Sequence, residues 1–240
     1  MMNPQGVYQE RFKVLNFQCD RHNRLKVSSI LGYMQQICSG QMEQLQMGYY
    51  KLLEEDMVFL LSAVRLNFLR RPGGSEFITV STCPLEPKGA RFLRETHIRD
   101  EAGELLVHSL SSWLLVSPES RKIYRPSAFP YNMVCGAAED DGFLRLKLPP
   151  LSPAGVHRVV QSDLDVNGHM NNARYADLAM DYIPEEVLRN QEPEGMVIHF
   201  KQEVLLGETL EIGVANPGKS VYYIGGSSAE TEKFGVQLVF

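Results

Sequence analysis

Ser162-Asp163-Leu164-Asp165-Val166-Asn167-Gly168-His169-Met170-Asn171-Asn172 is the densest polar run in the chain. Its D-x-D-x-N-G opening has the spacing of a calcium loop. Such a loop needs a bidentate glutamate at its twelfth position, and Arg174 stands there. The residues just before it, 155–160, read as a strand and not as the incoming helix of an EF-hand, so the calcium reading fails. Asp165, Asn167 and His169 alternate by two, and in an extended segment that spacing puts carboxylate, amide and imidazole on one side. A helix begins directly afterwards, adding backbone N–H groups and a partial positive charge suited to holding an oxyanion. Together these groups fit hydrolysis of an ester or thioester. The plain alternative is a polar turn in which Asn171 or Asn172 caps the helix.

Working outward, Tyr175, Ala176, Ala179, Met180 and Ile183 recur at helical spacing. Strand-like stretches follow at 197–206, 209–215, 220–229 and 234–240. The first half shows the same order. A strand-like stretch at 7–15 and a polar segment at 19–26 precede a helix carrying Ile30, Met34, Ile37, Cys38 and Leu45, with Ser28 or Ser29 as its cap. Strands at 58–69, 76–82, 91–99 and 105–117 come next, separated by Pro- and Gly-bearing turns. One strand, one helix and four strands, stated twice, mark an internal duplication. The fold class expected is therefore α+β, each half a helix packed on an antiparallel sheet. The join falls in the Pro-rich, acidic stretch 126–153, giving domains 1–135 and 136–240.

The 240 residues carry a net charge of −5, with 44% apolar and 22% charged residues. That balance excludes disorder, collagen-like repeats and a basic nucleic-acid binder. Residues 1–135 hold 16 basic and 13 acidic side chains, whereas residues 136–240 hold 8 and 16. A faintly basic half beside an acidic one suits an acidic partner for the first half. No run reaches the ~18 apolar residues of a membrane helix. The polar residues 1–10 do not read as a signal peptide. Cys19, Cys38, Cys83 and Cys135 are scattered without a CxxC pair, so free thiols in the cytoplasm are expected, with no zinc site and no disulfides.

The eleven-residue run, followed by Tyr175, resembles the signature of the acyl-acyl carrier protein thioesterases of plants and bacteria. The resemblance covers nearly the whole chain in length and element order, and it implies a double hotdog: two tandem helix-wrapped antiparallel sheets. It also implies that Asp165, Asn167 and His169 act with a glutamate on a following strand, which maps to Glu203 in His199-Phe200-Lys201-Gln202-Glu203-Val204. The position after that glutamate, a cysteine in some accounts of the family, is Val204 here, so no thiol nucleophile is available there. The implied reaction is release of a free fatty acid by a water that Glu203 or His169 activates, with no cofactor and no metal.

The implied partner is an acyl carrier protein. Arg70, Arg71, Lys88, Arg91, Arg94, Arg121, Lys122 and Arg125 are the candidate docking residues, with Lys88, Arg91 and Arg94 foremost. Ile30, Met34 and Ile37, with Cys38, would line the acyl tunnel. Aligning the halves by eye puts Asp165, Asn167 and His169 opposite Arg21, Asn23 and Leu25, and Glu203 opposite Leu69. Only the second half would then be catalytic, with one site per chain, in a monomer or a homodimer. An acyl-CoA thioesterase, a hotdog dehydratase and a non-catalytic acyl-thioester binding protein are the rival readings. His22, His97, His108 and His157 show no partner spacing.

Overall fold

Alternating burial along 58–68 and 91–99 turns one face of each segment inward, and both are strands in the computed structural model. The structure describes residues 6–131, 133, 136–137, 142–218 and 220–240. Cys135, where the expected domain boundary falls, and the acidic residues 139–141 lie outside them. The elements are β1 (Tyr8–Lys13), α1 (Val27–Gln44), α2 (Tyr49–Glu54), β2 (Val58–Phe68), β3 (Phe77–Lys88), β4 (Arg91–Arg99), β5 (Leu105–Val116) and β6 (Ile123–Tyr124). After them come β7 (Ser152–Arg158), α3 (Asn172–Asp181), α4 (Glu185–Asn190), β8 (Gly195–Phe200), β9 (Thr209–Gly218), β10 (Val221–Ser228) and β11 (Thr231–Val239).

The strand order is β1-β3-β4-β5-β2-β8-β11-β10-β9-β7, with β6 on β5. Read from its outer edge, the second half runs β7-β9-β10-β11-β8, which repeats β1-β3-β4-β5-β2 element for element. The expectation of two sheets meets a different arrangement. β2 and β8 pair antiparallel from Ala63↔His199 to Asn67↔Gly195, so the strands form one continuous sheet. Left alone, each half would end in an open row of N–H and C=O groups at β2 or β8; pairing them covers both edges.

α1 and α3 pack against each other, and one core runs through both halves. Leu25, Ile30, Ile37 and Val64 join Ala176, Ala179, Ile198 and Phe234 in it, all at 0% exposure. α1 does not start at a serine. Its cap is Lys26, whose ammonium has no acceptor for the helix N–H groups, and the Ser29 hydroxyl donates to the Gln18 carbonyl at 3.0 Å. α3 does carry the expected cap: Asn171 Oδ1 accepts from Ala173 N at 2.9 Å. Cys19, Cys38 and Cys83 are not joined in disulfides. No helix among the described residues is long and apolar enough to cross a membrane.

Candidate active site

Residues 165–169 do not run extended. A short 3-10 turn at Gln161–Asp163 leads into a tight loop in which Asp165 N donates to His169 O at 2.8 Å and Gly168 N to Asp165 O at 3.1 Å. The reversal needs a positive φ, and Gly168 supplies it at +77°. The Asp165 carboxylate folds back over the loop, accepting from Asn167 N at 2.8 Å and His169 N at 3.3 Å. Asp165 is thus an Asx-turn acceptor that fixes the loop, not one of three side chains in a row. The physical reason is local: a carboxylate two residues before free N–H groups satisfies them better in a turn than in an unpaired strand.

Glu203 also differs from its expected place. β8 ends at Phe200, and Glu203 lies in the connection beyond it. Met170 N donates to Val204 O at 2.9 Å, and His169 bridges to Leu205, so this connection and the loop run side by side. That register brings His169 Nε2 to 3.5 Å from Glu203 Oε2. Glu203 is gripped from the first half of the chain. Arg121 donates Nη1 to Oε1 at 2.7 Å and Nη2 to Oε2 at 3.1 Å. This fork holds the Glu203 carboxyl below its ordinary range. Partial burial pushes it the other way, and the nearby imidazole adds to the lowering. Arg121 figured in the sequence only as a docking cation, since nothing in the local pattern ties it to a residue so far along the chain. Tyr49, which carried no sequence signal, donates its hydroxyl to Asn167 Oδ1 at 2.9 Å.

Asp165 and Asn167 line a cavity of about 1040 Å³, together with Asn171 and Asn172 at the start of α3. His169 and Glu203 are not in its wall; His169 closes the loop whose Asp165 and Asn167 are, and Glu203 lies in the connection that runs beside that loop. Most of the lining comes from the first half, including Met47, Phe59, Leu85, Phe92, Leu93, Trp113 and Phe129. α1 contributes Gln35, Cys38, Ser39, Met42 and the acidic Glu43. Ile30, Met34 and Ile37 do not line it. They point into the core at 0%, 5% and 0% exposure, on the other stripe of the helix.

The basic residues sort themselves by partner. Arg70 forks onto Glu76. Arg71 and Arg94 are buried at 6% and 7% exposure, which removes both from any docking surface. Lys88 is half-buried and engaged, while Arg91, Lys122 and Arg125 are exposed. The histidines do have partners. His157 pairs with buried Asp163 at 2.9 Å, and His108 with Glu95 at 2.7 Å. His97 stacks on His108 and lies 3.6 Å from the same glutamate, so Glu95, His97 and His108 gather three ligand-type atoms within 4.8 Å.

Superposing the repeat through its hydrogen bonds corrects the by-eye register by one residue at the loop. Asp20 accepts from His22 N at 2.9 Å and Arg24 N at 3.1 Å, and Asp20 N donates to Arg24 O at 2.8 Å. Asp20, His22 and Arg24 therefore stand where Asp165, Asn167 and His169 stand. Leu25 N donates to Pro72 O as Met170 N does to Val204 O, so Arg71, not Leu69, is the counterpart of Glu203. The first half has the frame but two arginines in place of the His–Glu pair.

Known proteins agree with this layout. The acyl-ACP thioesterase N-terminal domain matches residues 5–127 and its C-terminal domain residues 155–239. A chloroplastic acyl-carrier-protein hydrolase of Cuphea viscosissima, FATB2, is 21% identical over 82% of this chain, which spans 52% of that protein's length. An acyl-ACP thioesterase structure from Bacteroides thetaiotaomicron superposes with a TM-score of 0.90 over 98% of both chains at 18% identity. The 12:0-ACP thioesterase of Umbellularia californica gives 0.80 over 97% of this chain and 96% of its own, at 15% identity. With both domain models matched in order and over most of its length, the chain belongs to the acyl-ACP thioesterase family.

Proposed function

We propose that this protein hydrolyses the thioester of a fatty acyl-acyl carrier protein in the cytoplasm, releasing the fatty acid and the carrier's thiol. In this reading the two halves are tandem hotdog domains, 1–135 shaping the acyl pocket and 136–240 carrying the reacting groups. The observation that carries it is the His169–Glu203 pair, found in only one of the two copies of an otherwise shared loop, beside a largely apolar cavity that Asn167 lines. Arg121 keeps Glu203 an anion at neutral pH, which makes it a weak proton acceptor but a good electrostatic partner for an imidazolium. His169 is therefore the base. It takes a proton from a water placed against the thioester carbonyl, and Glu203 stabilises the charge that develops on the ring. Asn167, fixed by Tyr49, orients the carbonyl or the water. The start of α3 brings the positive end of a helix dipole to the cavity wall, where the oxyanion forms. His169 then returns its proton to the departing thiolate.

Docking of the acidic carrier falls to the exposed Arg91, Lys122 and Arg125, with Lys88 at their edge. Neither a cofactor nor a metal has a part in this chemistry. The test is thiol release from acyl carrier protein thioesters of graded chain length, run beside CoA thioesters of the same chains. Turnover on the carrier-borne series is expected; turnover on CoA alone makes the protein an acyl-CoA thioesterase, and binding without thiol release makes it a carrier. Reversing Arg91, Lys122 and Arg125 to glutamate should raise KM for the protein-borne substrate and leave a small thioester unchanged.

A further inference from the structure

The cavity wall contains a buried cation. Arg94, on β4, lines the same cavity as Asn167 yet is 7% exposed. Its Nη1 donates to Gln41 Oε1 and, at 3.2 Å, to Thr82 Oγ1. Gln41 is itself buried and locked, because its Nε2 donates to the Gly6 carbonyl at 2.7 Å, so its oxygen is committed to the guanidinium. Nη2 meets the Met42 sulfur at 4.0 Å, and a thioether is a weak acceptor. Among the described residues no carboxylate lies within ion-pair distance of Arg94. Arg71, the other buried arginine, has two such partners, Asp20 at 3.1 Å and Glu192 at 2.9 Å. A buried guanidinium without a counter-ion is expensive. Here the last turn of α1, to which Gln41 and Met42 belong, offsets part of that cost with the negative end of its dipole.

An unsubstituted hydrocarbon chain filling this cavity would strip water from Arg94 and give it nothing back. An oxygen on the chain would offer Nη2, which meets the Met42 sulfur, a stronger acceptor. We propose that the cavity selects an acyl chain bearing a hydrogen-bond-accepting oxygen, a hydroxyl, an oxo group or a carboxylate, and that Arg94 is the residue that binds it. The proposal rests on the reading of this cavity as the acyl site. Met42, Met47, Leu85, Phe92 and Leu93, also in the lining, accept the hydrocarbon part.

Trp113, the single tryptophan of the chain, also lines the cavity and reports occupancy without any turnover. Its fluorescence should be titrated with non-hydrolysable acyl-pantetheine amides of matched length. Their chains would be plain, hydroxylated, oxo-substituted or ω-carboxylated, with the oxygen placed along and at the end of the chain. At least one oxygenated series should bind about tenfold or more tighter than the plain one. Arg94→Met should erase that ratio, and Arg94→Lys should keep part of it. The wild type preferring plain chains at every position would overturn the proposal with no variant needed. An unchanged ratio in Arg94→Met, with merely a wider range of chain lengths admitted, would overturn it too. Failure of the thioesterase reading shows separately, as no thiol released from any thioester while the binding ratio persists.

Discussion

In the loop 20–24 and in the loop 165–169, an aspartate closes the turn by accepting from the N–H groups two and four residues ahead. A residue with positive φ sits at the same place, Asn23 at 59° and Gly168 at 77°. Each loop then runs beside the connection that follows a sheet strand. What differs is the pair of side chains brought together there. In the first half Arg24 and Arg71 converge on Glu192, which comes from the second half. In the second half His169 and Glu203 meet, and Arg121 from the first half closes on the glutamate. The frame is generic, and the chemistry rests on two positions. One copy has become an inter-half ion-pair clamp, whereas the other keeps groups able to move a proton.

The largest effect should come from breaking the second copy. His169→Ala and Glu203→Ala should each lower kcat for acyl-carrier thioesters by about 10²–10⁴-fold. The double variant should be scarcely worse than the weaker single, since the pair acts as a unit. Arg24→Ala, at the matching position of the first copy, should leave kcat within about twofold. Equal damage from Arg24→Ala would break the contrast between the copies.

The clamp should answer to stability instead. Arg71→Met leaves Asp20 and Glu192 short of a partner and removes a bond to the Leu25 carbonyl. Complete burial would put the loss at about 3–5 kcal/mol. Asp20 and Glu192 keep 26% and 40% of their side-chain surface, so about 1–3 kcal/mol is expected after solvent screening. Calorimetric Tm should fall while kcat of the folded fraction holds. A fall in kcat with no change in Tm would mean that the first copy takes part in the reaction.

A subtler probe compares the two aspartates. Asp165→Asn and Asp20→Asn both keep the Oδ1 acceptor that the turn uses. Asp165→Asn should cost about 0.5–1.5 kcal/mol of stability by chemical denaturation, and Asp20→Asn should cost more, because it also gives up the ion pair with buried Arg71. Asp165→Asn should retain turnover within about tenfold. A loss as deep as that of Glu203→Ala would show that the charge at Asp165 enters the chemistry, and that the turns are alike in form alone.

How far these contrasts were readable beforehand depended on range. The duplication and the strands at 58–69, 91–99 and 105–117 follow from local alternation and Gly/Pro punctuation, and they formed as β2, β4 and β5. The cluster at 162–172 stood out because polar residues crowd a strand-to-helix junction. Its conformation was missed, since alternation by two describes a strand and also an Asx turn in which the first residue binds the third and fifth N–H. The short helices α2 and α4 went unseen because six residues carry too little periodicity. Arg121 on Glu203 and Arg94 on Gln41 join residues 82 and 53 positions apart, and only the folded sheet sets those meetings. A basic residue in a sequence looks the same whether it is solvated, clamped or buried.

The finest test concerns the grip of Arg121 on Glu203, where the first half touches the reacting pair. Its fork lowers the Glu203 carboxyl, so Arg121→Ala should raise it. With His169 as the base, the acid limb of kcat/KM needs both a neutral His169 and an ionised Glu203 beside it, and the step that belongs to Glu203 should then move to higher pH. Because the Arg121 side chain is 62% exposed, solvent screens the fork and the move should be small. About 1 M salt should mimic part of it in the wild type and little in the variant. The sign for stability follows from the same lowering. A carboxyl depressed in the folded state contributes stability above its unfolded pKa and loses it as pH falls through the folded one. Wild type and Arg121→Ala should therefore differ most in Tm near neutrality and converge in acid. An acid limb that stays put in Arg121→Ala would mean that the titrating group is not Glu203, and that the second copy draws its asymmetry from His169 alone.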